Sequence, residues 1–249
     1  MSETKTRQKE NRIVQARTTP EGDGVEVRRL FPLGAGRMNH DPFVLFDHFE
    51  IKAGHGFPTH PHRGFEGITY LFSGGMQHRD NLGNDSVVWE GGAQRFTAGR
   101  GMEHSEMPRG ACRGIQLWIN LPGHLKQIAP QYQALDAAEI PRQHFDGGEV
   151  RTIVGEGSPL QLHTPVQYAS IQLEPGGRYE LDVPPTFQGL AYLVAGDVKL
   201  GGRSLSVGDA MYLAAPFNST LVSAQGAHVM LCLGKPHHEP IHQHGPFVD

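Results

Sequence analysis

The histidines come first, because there are 15 of them in 249 residues and histidine is the side chain most often recruited to metal ions. The densest group is Phe57-Pro-Thr-His60-Pro-His62-Arg-Gly-Phe-Glu66. Side chains of an extended strand alternate between faces, so the His-x-His spacing sets His60 and His62 on one side, within reach of one ion. Pro61 between them has no N–H for a sheet ladder, which puts the pair at an edge or a strand start. A second group follows in Gly99-Arg-Gly-Met-Glu-His104-Ser-Glu106-Met-Pro108. His104 and Glu106 share parity, and an antiparallel neighbour would aim an imidazole and a carboxylate at the same point. Three neutral imidazoles and one carboxylate leave open positions on a divalent first-row ion, which suits Fe(II) and also Cu, Ni, Mn or Zn. A lone His-x-His on a strand is more often structural than ligating. What favours a metal is its combination with the following Glu, the Gly-rich turn and the downstream His-x-Glu.

The elements that must position these groups are short. Apolar alternations such as Val25–Phe31, Phe43–Glu50, Ile68–Gly74 and Gly114–Leu121 recur between glycines and prolines, and they read as strands of about five to eight residues. With Gly 32, Pro 18 and only 19% charged residues, long exposed helices are excluded and an all-β fold is predicted. One short helix is expected around Gln127–Ala138. In the strand after Cys112, Ile115, Leu117, Ile119 and Leu121 should face a core. Gln116 and Trp118 then line the other side of a buried sheet or a domain interface.

The chain also repeats itself. Phe65–Gly74 aligns with Phe187–Gly196, with Phe, Gly, Tyr, Leu and Gly recurring in place, and Gly91–Ala93 aligns with Gly208–Ala210. Two similar β-domains in tandem are therefore predicted, the first spanning 13–140 and the second 141–249, behind a mobile tail at 1–12. Carried across the repeat, His60 falls on Asp182, His62 on Pro184, Glu66 on Gln188, His104 on Leu221 and Glu106 on Ser223. The second copy is accordingly expected to lack metal ligands.

A net charge of −4 gives no electrostatic footprint for direct nucleic-acid binding or an anionic membrane. Cys112 and Cys232 lie in apolar runs without the spacing of a disulfide framework or a zinc site, which fits a reducing, cytoplasmic setting. No apolar stretch reaches membrane-spanning length. The tail histidines His237, His238, His242 and His244 read as surface or loop residues among prolines. His40, His48, His55 and His78 read as ordinary polar surface.

At the level of whole motifs, His60-x-His62-x3-Glu66 resembles the first cupin motif and Gly99-x-Gly101-x2-His104 the second. The wording of 57–71, 97–108, 114–122 and the closing Gly245–Val248 is similar to the pirin family of bicupins, and the likeness runs from about residue 12 to the end. The resemblance implies two tandem cupin barrels, each a double-stranded β-helix or jelly roll. It implies one divalent metal ion per chain, Fe(II) first, held by His60, His62, His104 and Glu106. Glu66 then stands behind the ligands, orienting a histidine or accepting a substrate proton; the plainer reading pairs it with Arg63. For bacterial members the resemblance implies quercetin 2,3-dioxygenase activity, with a flavonol or another chelating oxygen compound and O2 as substrates. Glu106 is then the residue that takes the 3-hydroxyl proton, with Glu66 in reserve, and Phe57 and Phe65 supply an aromatic wall or core. The other implied role is a metal-dependent regulatory binding protein, a transcriptional co-regulator or a modulator of a metabolic enzyme, with a protein partner and no turnover. A monomer is expected.

Overall fold

Glycine, proline and apolar alternation do what they predict: nearly every element is a strand. The structure, a computed structural model, describes residues 11–34 and 37–249. The expected tail therefore lies outside the described residues except for Asn11 and Arg12. These two are tied down: the Asn11 carbonyl accepts from Arg203, and the Arg12 guanidinium sits 4.8 Å over the Tyr212 ring.

After β1 (Ile13–Gln15), the first barrel is built from β2 (Arg17–Glu21), β3 (Val25–Phe31), β4 (Phe43–Ile51), β5 (Phe57–His62), β6 (Phe65–Ser73), β7 (Gly75–Asp80), β8 (Asp85–Trp89), β9 (Ala93–Thr97), β10 (Met102–Pro108), β11 (Cys112–Asn120) and β12 (Gln131–Leu135). They form a seven-stranded sheet, β12-β9-β6-β11-β4-β3-β2, and a four-stranded sheet, β5-β10-β7-β8. The second barrel uses β13 (Arg142–Phe145), β14 (Gly148–Val154), β15 (Val166–Leu173), β16 (Arg178–Val183), β17 (Gln188–Gly196), β18 (Val198–Leu200), β19 (Arg203–Leu205), β20 (Asp209–Ala214), β21 (Phe217–Val222) and β22 (Ala227–Gly234). Its sheets run β1-β20-β17-β22-β15-β14-β13 and β16-β21-β18-β19. The two orders superpose strand for strand, which is the repeat seen in three dimensions. A small hairpin, β23 (Gln243–His244) with β24 (Phe247–Val248), follows.

The chain exchanges its ends. The expected border near residue 140 separates most of the two units, yet the compact unit around Arg17–Ile140 also takes in Pro159–Thr164 and His237–Asp249. β1 belongs to the other unit, because it pairs antiparallel with β20, Ile13 opposite Met211. It fills there the sheet position that β12 fills beside β9.

β12 also replaces the expected helix. Among residues 123–138 the only helical turn is the 3-10 segment Gly123–Leu125, and Gln131–Leu135 pairs with Ala93–Thr97 instead. Pro130 disfavours the helical region for Ala129, and the open edge of β9 offers five residues a ladder that local propensity does not outweigh.

Register stratifies the inner face of the seven-stranded sheet. Val27, Phe49, Gly114 and Leu71 are cross-strand neighbours and form an apolar floor. Two residues along, Arg29, Asp47, Gln116, Thr69 and Gln94 make a polar row. Two further, Leu45, Trp118, Gly67 and Phe96 make a largely aromatic row. Gly67 is required by that row, since a Cβ there would lie 2.3 Å from the Phe96 ring. Ile115, Leu117 and Ile119 project from the opposite face and are fully buried there. In the second barrel the corresponding interior is packed with Leu181, Val183, Leu221, Val229 and their neighbours.

Candidate metal centre

Antiparallel pairing of β5 with β10 puts His60 opposite His104 and His62 opposite Met102. The alternation of β5 turns His60 and His62 the same way, and the three imidazoles converge: their candidate ligand atoms all lie within 4.8 Å of one another. His60 Nε2 and His104 Nε2 are 3.2 Å apart. Among the described residues no second group of three or more His, Cys, Asp or Glu side chains comes together in this way. Asp182 and Pro184, which carry the repeat positions of His60 and His62, sit at the end of β16 beside Val183 of that apolar interior.

Each ring is held from behind. His60 Nδ1 lies 2.7 Å from the Pro58 carbonyl, and His62 Nδ1 lies 3.3 Å from the Pro246 carbonyl. A carbonyl only accepts, so both Nδ1 atoms carry the proton and both Nε2 lone pairs are free. His62 stacks on Phe96 with 5.3 Å between centroids and 5° between planes. Burial pushes the His62 pKa down to about 3, helped by the neighbouring His60. It holds His104 well below its usual value too, with His62, His60 and His78 adding to the effect. Neutral, desolvated imidazoles are what a divalent ion needs as ligands.

Glu106 shares the inward face of β10 with His104 and is buried. Its Oε1 accepts from Thr69 Oγ1 at 2.8 Å and from Gln94 Nε2 at 2.6 Å, and its Oε2 accepts from Gln116 Nε2 at 3.1 Å. Gln94 is aimed by Tyr132, whose hydroxyl donates to Gln94 Oε1 at 2.8 Å and lies 2.6 Å from Ser86 Oγ. The polar row thus ends in a cradle that fixes the carboxylate. Glu106 stands outside the group of atoms within 4.8 Å, but it lines the same cavity as His60 and His62.

Glu66 is elsewhere. It has the opposite parity to Thr69 on β6 and lies across from Thr97 and Ile119 on the other face of the sheet. There it accepts from Thr97 Oγ1 at 2.8 Å and from the His163 backbone at 2.9 Å, with His163 Nδ1 at 3.0 Å. It neither reaches the imidazoles nor pairs with Arg63, whose partner is Asp249 at 2.9 and 3.0 Å. Period two alone decides this: an even-numbered position on β6 cannot face the site that Phe65 and Thr69 face.

The cavity holds about 550 Å³ and is walled by Phe49, Phe57, Trp118, Gln116, Arg29 and Asp47, among others. Phe57 does form part of the wall, whereas Phe65 lies behind it, stacked on Trp118 at 4.1 Å. Arg29 binds both oxygens of Asp47, at 2.8 and 2.5 Å, and also Glu21. Burial nonetheless raises the Asp47 pKa to about 6 against the pull of Arg29.

Two further expectations change. His78 is fully buried in contact with His104, and His48 is 7% exposed, so neither is polar surface. The tail does join the site, through the carbonyl of Pro246 and through Gln243 and Gly245 in the cavity wall. The sequence carried a signal for His78, the His-x-Asp spacing of a strand. Thr69, Gln94 and Tyr132 carried none.

Residues 24–119 match the family described as Pirin, and residues 168–249 match the Pirin C-terminal cupin domain. Pirin of Homo sapiens is 38% identical over 94% of this chain and 85% of its own length. The chain belongs to the pirin family. Its two barrels are therefore tandem cupins of the pirin type. The crystal structure of a quercetin 2,3-dioxygenase from Acinetobacter baumannii is similar with a TM-score of 0.88 and 28% identity, covering 95% of this chain and 90% of that one. A bacterial pirin from Escherichia coli in complex with nickel(II) shares the fold with a TM-score of 0.75 at 22% identity, over 90% of this chain and 99% of that one. Among the described residues of this pirin, no helix is long and apolar enough to cross a membrane.

Proposed function

We propose that this pirin is a metal-dependent dioxygenase that opens the heterocycle of a flavonol such as quercetin. The observation that carries the reading is the convergence of the His60, His62 and His104 imidazoles beside an aromatic-lined cavity of about 550 Å³ whose wall includes His60 and His62, a size ordinary for small-molecule sites. The similarity to the quercetin 2,3-dioxygenase supports it. His60, His62 and His104 would hold one divalent ion, Fe(II) in the first instance, with Glu106 Oε2, which takes a single hydrogen bond, as the fourth donor. The ion supplies Lewis acidity and open positions for oxygen ligands.

The chain's own residues do the rest. Glu106, once an oxygen is free, accepts the proton of the flavonol 3-hydroxyl and returns it to the product. Trp118, Phe49 and Phe57 flank flat rings, and the Arg29–Asp47–Glu21 cluster offers a charged far wall to phenolic hydroxyls. Flavonol and O2 give a depside and carbon monoxide, so every atom is accounted for. Buried, unpaired Cys112 and Cys232 fit work in a reducing cytoplasm.

The test is anaerobic loading with Fe(II), then quercetin and air, following flavonol absorbance and released carbon monoxide. Loss of absorbance is expected with the wild type. His104→Ala and Glu106→Ala should abolish it, and equal rates in those variants would refute the reading.

A further inference from the structure

His78 and Asp80 are two residues apart on β7 and face the same way. β7 pairs with β10 so that His78 lies opposite Glu106 and Asp80 opposite His104. Both side chains are fully buried. His78 Nδ1 is 3.4 Å from His104 Nδ1, and His78 Nε2 is 2.9 Å from Asp80 Oδ2. The Tyr132 ring lies on His78 at 3.9 Å with 14° between planes, which fixes the plane of the imidazole. Asp80 is fixed in turn by the turn that follows it. Its Oδ1 accepts from the backbone N–H groups of Leu82 and Asn84, both at 3.0 Å, and Asn84 Nδ2 reaches its Oδ2 at 2.8 Å.

The protons in this line can be assigned. A carboxylate accepts, so His78 carries its proton on Nε2 and presents a lone pair at Nδ1. The proton between the two facing Nδ1 atoms then belongs to His104, whose Nε2 lone pair is left toward His60. The reverse tautomer of His78 would put a proton on Nδ1, drive the proton of His104 to Nε2, and remove it as a ligand.

We propose that Asp80 and His78 are positioning residues that lock His104 in its ligating tautomer and carry the Asp80 charge toward it. The inference rests on the metal-binding reading of the three histidines. His60 and His62 lean on neutral carbonyls, so His104 is the one imidazole of the three with a carboxylate behind it, at one remove.

Asp80→Asn tests this with nearly constant shape. The backbone donors of Leu82 and Asn84 keep the amide oxygen at the Oδ1 position, so the amide nitrogen faces His78 and reverses its tautomer. Nitrogen-15 NMR of the metal-free wild type should find His104 protonated at Nδ1, and at Nε2 in the variant. Chelator competition should show Co(II) bound about 10–100-fold more weakly by the variant, with an altered ligand-field spectrum. The Fe(III)/Fe(II) potential of the variant should be higher. His104 protonated at Nε2 in the wild type overturns the proposal, and so does Co(II) bound by a folded variant with wild-type affinity and spectrum. If the wild type binds no Co(II) while its tautomers are as assigned, the metal reading fails and the lock stands. The wild-type spectrum decides the matter if the variant does not fold.

Discussion

Asp47 shows how burial and pairing compete at one residue. The residue is 3% exposed and its carboxylate is held by Arg29, yet desolvation wins and its pKa rises to about 6. A folded-state pKa above the unfolded one means that the native state holds the extra proton. Stability from this group is therefore present below the unfolded value, near 4, and is lost as pH rises through about 6. The unfolding free energy of the wild type minus that of Asp47→Asn should accordingly fall between pH 4 and 6 and then level. A flat difference in urea titrations across that range would count against it. Glu106 depends on partners in another way. Gln94→Leu removes one of its donors and should cost about 1–3 kcal/mol, read as a lower denaturation midpoint at unchanged m-value. The convergence of His60, His62 and His104 was legible because spacing on a strand is chemistry in itself. Glu66 misled because a motif match says nothing of which face a side chain takes, and the parity of β6 does.

At the scale of the element, the hairpin of β23 and β24 is the part least visible in the sequence. The tail histidines read as surface or loop residues, but what the hairpin delivers to the site is a backbone carbonyl, and no residue type announces that. The hairpin is pinned by Arg63 on Asp249, by the Val248 N–H on the Arg63 carbonyl at 3.0 Å, and by Lys126 Nζ, which donates to the carbonyls of Val248 and Gly64 and to Asn120. Gly64 makes this approach possible: its φ is +85°, and a Cβ would lie 1.8 Å from the Val248 oxygen. Gly64→Ala should therefore expel the hairpin and destabilise by more than about 1 kcal/mol. Limited proteolysis between residues 236 and 249 should be fast in the variant and slow in the wild type. The misplaced helix has a related cause. Gln131–Leu135 has no strong strand signature, and it extends only because β9 has an edge to pair.

The whole molecule is one fold used twice, and most of that was legible: the repeat located β6 against β17 and β9 against β20 before any coordinates. Of the positions that the repeat assigns to the ligands, Leu221 is buried in the aliphatic second interior, whereas Asp182 is exposed. The exchange of ends was not legible, because a three-residue strand such as β1 leaves almost no pattern. Metal should act on one copy alone. At a free concentration one hundred times its dissociation constant it adds about 2.7 kcal/mol to the state that binds it. Hydrogen exchange should slow in β5, β7 and β10 on loading and stay unchanged in β16 and β21. Uniform slowing would show that the two copies share a single unfolding event.

The return of residues 243–249 to the first barrel also orders events in time. They are synthesised after every strand of both barrels, and they bring the carbonyl that orients His62. On the ribosome, therefore, the first barrel can close its sheets long before its second histidine is steadied.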